Sequence, residues 1–140
     1  MDQSLEKALK LVSNYNIRYN TMFKPSHQYK LHPLEGEYGI IDNEWPCNHK
    51  AGVYLILDKN NVVIYVGQSS SLGYRFYQYF NPTDKIKPVR HKWKGTPDSI
   101  IAFSASDTAA YERLSLEEYL IYELSPLDNK RAKNKNSPNS

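Results

Sequence analysis

Apolar residues recur at gaps of three and four near the start of the chain: Leu5, Leu9, Val12, Tyr15, Tyr19 and Met22. That spacing predicts an amphipathic helix over about residues 3–23, with Pro25 as its stop. Residues 24–50 lose the pattern under Pro25, Pro33, Gly36, Gly39 and Pro46. A mostly irregular segment is expected there, with a short strand near Tyr38–Ile41. The pattern then sharpens. GVYLIL (52–57) and VVIYV (62–66) are rich in β-branched, aromatic and aliphatic residues, and Asp58-Lys59-Asn60-Asn61 separates them. This is a hairpin with a four-residue loop, its second strand ended by Gly67. Leu72, Phe76 and Phe80 stack at i, i+4 and i+8 in a helix stopped by Pro82, with Arg75 and Tyr79 on the neighbouring face. SIIAFSA (99–105) reads as a third strand. Ser106 or Asp107 then caps a long helix running to about Leu124, before Pro126.

The order is strand, strand, helix, strand, helix behind an N-terminal helix. It predicts an α+β fold: a small antiparallel three-stranded β-sheet flanked by helices, with an added N-terminal helix. Residues 1–50 form a helix and irregular extension packed on the domain, residues 51–129 the domain itself, and residues 130–140 a basic tail without apolar periodicity.

Composition narrows the class. The 140 residues suit one domain, and 40% hydrophobic with 24% charged residues is ordinary for a globular protein. No apolar run approaches the ~20 residues a bilayer needs, so no membrane partner is expected. The opening MDQSLEKALK does not read as a signal peptide. The single cysteine, Cys47, permits neither an internal disulfide nor a cysteine zinc site, and a reducing, cytoplasmic setting follows.

The net charge of +3 is unevenly spread. Lys85, Lys87, Arg90, His91, Lys92, Trp93 and Lys94 fall together with no acid among them, and Lys130, Arg131, Lys133 and Lys135 follow in the tail. Such clusters suit a polyanion, though a solvated loop and tail would look the same. His27, His32 and His49 lack metal-ligand spacing and read as loop residues.

Two features carry candidate chemistry. A symmetrical four-residue loop places Tyr54 directly across from Tyr65 on one sheet face, and Gly52 across from Gly67 on the same face. An aromatic pair stabilises any hairpin, but a glycine floor leaves room for a ligand or another backbone. On the long helix, Glu117 falls at the centre of an apolar stripe made by Ala110, Leu114, Leu120, Ile121 and Leu124. A carboxylate there is costly unless met. An ion pair with Arg75 or Arg113 would meet it, and so would a metal ion at the edge of the core.

Together these residues resemble the GIY-YIG nuclease family. Its two motifs read Gly52-Val53-Tyr54 and Tyr65-Val66-Gly67, followed by YVGQSSSLGYRF with Arg75 at the helix arginine. LEEYLIYELSPLDN then places Glu117 at the metal-binding glutamate and Asn129 at the terminal asparagine. The likeness covers residues 52–129. Valine stands where isoleucine is usual in both motifs; Tyr79 stands where many members have histidine; Gln68 stands where some have lysine.

The resemblance implies a DNA endonuclease needing Mg²⁺, with Mn²⁺ as an alternative. Glu117 would hold the metal and Arg75 would grip the scissile phosphate. Tyr54 would act as general base and Tyr65 would orient water or support Tyr54. Asn129 would hold local backbone or a ligand in place. Gln68, Tyr79 and the segment Lys85, Lys87, Arg90, His91, Lys92, Trp93 and Lys94 would face nucleic acid, and Tyr15, Tyr19 and Trp93 offer rings for stacking on bases or packing against a partner. Target choice would come from the extension, the basic segment or a homodimer. The competing expectation is a nucleic-acid-binding module that keeps the fold without cleaving.

Overall fold

The computed structural model describes residues 2–34, 37–40, 47, 49–80 and 92–129. Helix α1 spans Leu5–Tyr19. The Ser4 side chain caps it by accepting from the Lys7 amide, and Asn20, in the left-handed region at φ 54°, closes it well before Pro25. Its buried face is Ala8, Leu11, Val12 and Tyr15; Leu9, Tyr19 and Met22, expected on that face, are exposed.

The segment expected to be irregular contains four short strands: β1 (Lys24–Pro25), β2 (Tyr29–Lys30), β3 (His32–Leu34) and β4 (Glu37–Ile40). The last corresponds to the short strand foreseen near Tyr38. Strands β5 (Gly52–Leu57), β6 (Val63–Ser69) and β7 (Ser99–Ser104) form the central antiparallel sheet, ordered β7-β5-β6. β1 and β2 both pair with β7, so the expected three strands become five, and β3 with β4 makes a separate two-stranded sheet. Helix α2 spans Leu72–Phe80 as expected. The expected single long helix is divided: residues Asp107–Glu112 form a 3₁₀ helix, and α3 runs Arg113–Leu124, ended by Ser125 at φ 44°.

The sheet separates two cores. On one side α1 and α3 cover Val53, Leu55, Leu57, Val63, Val66, Ile101 and Phe103. On the other, Leu72, Phe76 and Phe80 of α2 cover Tyr54, Ile56, Ile64, Ile100 and Ala102. Every residue of β5 is buried, because this strand has helices over both faces and strands along both edges.

The hairpin register differs from expectation. Leu57 pairs with Val63 rather than Val62, and Ile64 is an extra residue on β6, so that Ile56 pairs with Tyr65 and Tyr54 with Gly67. Gly52 pairs with Ser69, and β6 continues through Gly67 instead of ending there. The loop and the bulge each shift the register by one. Because side chains alternate with a period of two, a shift of two restores the face. Tyr54 and Tyr65 therefore share a face, as diagonal neighbours rather than a direct pair.

Candidate active site

Three tyrosines meet on the α2 side of the sheet. The Tyr54 hydroxyl donates to the Tyr79 hydroxyl, which donates to the Tyr65 hydroxyl, each at 3.2 Å. The three ring centroids lie 6.1–6.2 Å apart. Local sequence explains each placement. Gly67 has no Cβ, and the Tyr54 ring and hydroxyl occupy the place where one would stand. The glycine floor thus admits this chain's own tyrosine rather than a ligand. At Gly52 a Cβ would strike the Phe103 carbonyl of β7 and crowd Leu72. Glycine there permits the close approach of the neighbouring strand. Tyr79 reaches the pair because it lies at the edge of the α2 face that Leu72, Phe76 and Phe80 turn into the core.

The tyrosines differ in access. Tyr54 is only 1% exposed, whereas Tyr65 and Tyr79 are half-buried. Burial first, then the charges that Tyr79 and Tyr65 would carry, push the Tyr54 hydroxyl well above the ordinary phenol range, and the Arg75 guanidinium opposes this. Burial first, then Tyr79 and the Glu117 carboxylate, push Tyr65 up as well, and Arg75 again opposes. Both phenols therefore hold their protons at neutral pH.

Arg75 is half-buried, and its Nε is a buried donor without an acceptor among the described residues. A buried guanidinium N–H left open suits an incoming anion. Glu117 comes from the opposite side of the sheet. It is half-buried, and relative to Leu120 it lies at about +60°, between Leu124 at about +40° and Ile121 at about +100°. It falls within the buried stripe of Leu116, Leu120, Ile121 and Leu124, not at the centre of the set expected, since Leu114 is half-exposed. β6 is the edge strand of the sheet, so a side chain of α3 can act around it, and the Glu117 charge is felt at Tyr65. Arg113, one candidate partner for Glu117, is directed elsewhere: its Nε donates to Gln68 Oε1 at 2.8 Å and Nη1 to the Ala110 carbonyl at 2.7 Å.

Asn129 closes the β6 edge. Its Oδ1 accepts from the Val66 amide and its Nδ2 donates to the Val66 carbonyl, both at 2.8 Å. The side-chain amide thereby imitates a neighbouring strand. Asp128 continues the seam, its amide donating to the Ile64 carbonyl at 2.8 Å. The buried Asp128 carboxylate accepts from the amides of Lys94 at 2.6 Å and Gly95 at 2.9 Å. Trp93, next in the chain, packs edge-on to Tyr65 at 5.5 Å and near Tyr79 at 5.9 Å.

Of the candidate nucleic-acid residues, Lys92 and Lys94 are exposed, Trp93 and Tyr79 join the tyrosine cluster, and Gln68 holds Arg113. Lys85, Lys87, Arg90 and His91 lie outside the described residues, as does the tail from Lys130. Tyr15 is not available for stacking on bases: it is buried against Tyr119, Tyr19 and Phe23. The sequence reading overlooked Asp128. An isolated aspartate beside a terminal asparagine carries no signal until its two amide donors, more than thirty residues away, are seen.

A family model described as the GIY-YIG catalytic domain matches residues 50–133. The chain belongs to the GIY-YIG nuclease family. Among curated proteins, the chain resembles UvrABC system protein C of Microcystis aeruginosa, 36% identical over 75 residues, 54% of this chain and 12% of that protein. It also resembles UvrABC system protein C of Finegoldia magna, 46% identical over 41 residues, 29% of this chain and 7% of that protein. The chain therefore matches only a small part of the length of these relatives. Within the GIY-YIG domain, the matched residues include all three tyrosines, Arg75, Glu117 and Asn129. Among the described residues no helix is long and apolar enough to cross a membrane.

Proposed function

We propose that the chain is a divalent-metal-dependent endonuclease that hydrolyses phosphodiester bonds in DNA, working in the cytoplasm. The observation that carries this reading is the chain of three linked phenols with Arg75, its Nε open, one helical turn from Tyr79. Phosphodiester hydrolysis needs a positioned water, neutralisation of charge at phosphorus, and help for the departing oxygen.

Among the described residues no three His, Cys, Asp or Glu side chains gather into a metal site. A closed cage is not what Mg²⁺ requires; one carboxylate with waters and substrate oxygens suits it, and Mn²⁺ takes similar oxygen ligands. The half-buried Glu117 carboxylate, whose charge acts on Tyr65, fits that donor chemistry and is the residue that would hold the ion. When bound, the ion supplies Lewis acidity at the phosphate and a more acidic water.

The chain's own residues do the rest. Arg75 offers its planar fork, with the open Nε, to the scissile phosphate, a geometry lysine cannot copy. The resemblance points to Tyr54 as general base, but its burial favours Tyr65 as the phenol that contacts and orients the water. Tyr54 and Tyr79 stand behind Tyr65 in a chain of hydrogen bonds donated toward its oxygen. Asn129 keeps β6, and with it Tyr65, in register.

The test is incubation with supercoiled plasmid in Mg²⁺ or EDTA, repeated with Glu117→Ala and Arg75→Ala. Metal-dependent nicking or linearisation, lost in both variants, is expected. Intact plasmid with wild type alongside salt-sensitive DNA retention would make the chain a non-cleaving binding module. Activity surviving Glu117→Ala but lost in Glu118→Ala would move the metal to the neighbouring carboxylate.

A further inference from the structure

We propose that Arg113 is a second phosphate-binding guanidinium, contacting a phosphodiester beside the scissile one, and that Gln68 is the residue that aims it. Two elements of the site meet at this contact. Arg113 lies one helical turn before Glu117 on α3, and Gln68 adjoins Gly67 and lies three residues beyond Tyr65 on β6. Guanidinium and amide are joined at 2.8 Å through Nε and Oε1, and Nη1 is tied to the Ala110 carbonyl at 2.7 Å.

Both acceptors are neutral, and no carboxylate among the described residues pairs with Arg113. A guanidinium has five N–H donors, so two bonds leave three for a ligand. These two neutral acceptors fix its plane and take only two of its donors. A pre-aimed, half-buried fork of this kind recognises planar or tetrahedral oxyanions. On a nucleic-acid enzyme the oxyanion is a backbone phosphate, and the inference rests on the nuclease reading at that step. Gln68 then acts through Arg113 and is a positioning residue, not a contact of its own.

The experiment measures duplex DNA binding in EDTA, where cleavage does not interfere, as a function of salt concentration. Arg113→Gln should weaken binding roughly tenfold and lower the slope of log affinity against log salt by about one phosphate contact. Arg113→Lys should restore the slope while leaving affinity below wild type, because the charge returns without its fixed direction. Gln68→Leu should weaken binding in the wild-type background and add nothing to Arg113→Gln, as a residue acting through another must. Unchanged affinity and slope in Arg113→Gln, with a lowered melting temperature, would make the contact a structural brace and overturn the proposal. A wild-type chain that retains no duplex in EDTA would overturn this inference, and one that also leaves plasmid intact in Mg²⁺ would overturn the nuclease reading beneath it. Retention by wild type with no effect of Arg113→Gln would overturn this inference alone.

Discussion

The Tyr54 ring lies where the Cβ of Gly67 would be, with the Tyr54 hydroxyl and ring carbons well inside the distance any side chain there would tolerate. The second glycine of the motif is therefore a packing partner of the first tyrosine. Gly67→Ala is expected to destabilise the fold by about 1–3 kcal/mol through overpacking and to pull the Tyr54 hydroxyl away from Tyr79. Urea unfolding checks this. In a Tyr54→Ala background the same alanine should cost little, because the obstruction is gone, and an equal cost in both backgrounds would refute the account.

Asn129 gives a second prediction. Asn129→Ala removes two hydrogen bonds and leaves the Val66 amide and carbonyl on an edge strand without their partner. The expected loss is about 1–3 kcal/mol in chemical denaturation. Hydrogen exchange should accelerate at the Val66 amide. Asn129→Asp should not rescue, since a carboxylate cannot donate to the Val66 carbonyl.

Asp128 latches the chain near Trp93 to the β6 edge. Asp128→Asn removes the charge that accepts from two successive amides and turns a donor toward one of them. A cost of about 2–3 kcal/mol is expected. In a Trp45→Phe background, Trp93 fluorescence should shift to longer wavelength as its ring leaves Tyr65 and Tyr79. An unchanged emission maximum would show that Trp93 is held without the latch.

The raised Tyr54 hydroxyl sets a pH dependence. Folding lifts its pKa above the unfolded value of about 10, so above that pH the unfolded chain binds fewer protons than the folded one. Stability should then fall as pH rises from about 10 and be insensitive to this group at neutral pH. Thermal unfolding from pH 7 to 11 tests the sign. Tyr54→Phe should flatten the alkaline decline, although it loses the hydrogen bond to Tyr79 at every pH.

Much of the fold was legible because local rules suffice for it. The β-branched runs of β5, β6 and β7 and the four-residue spacing of Leu72, Phe76 and Phe80 need no distant partner to be recognised. The shortest strands of the extension were illegible for the opposite reason. β1 and β2 are two residues each and exist only because β7 offers an open edge. No periodicity can emerge from two residues.

By itself the sequence determined the candidates: Tyr54, Tyr65, Arg75, Glu117 and Asn129 stand in motifs whose order and spacing survive any uncertainty of register. Even the register error left both tyrosines on one face, because two single-residue shifts cancel under a period of two. Only the tertiary structure decided what surrounds them. It buried Tyr54 over Gly67, inserted Tyr79 between the two motif tyrosines, turned Gln68 toward Arg113, and brought Asp128 to the amides of Lys94 and Gly95. Burial and hydrogen-bond partnership are properties of space shared between distant segments, and a linear pattern records only which face a residue occupies, not what meets it there.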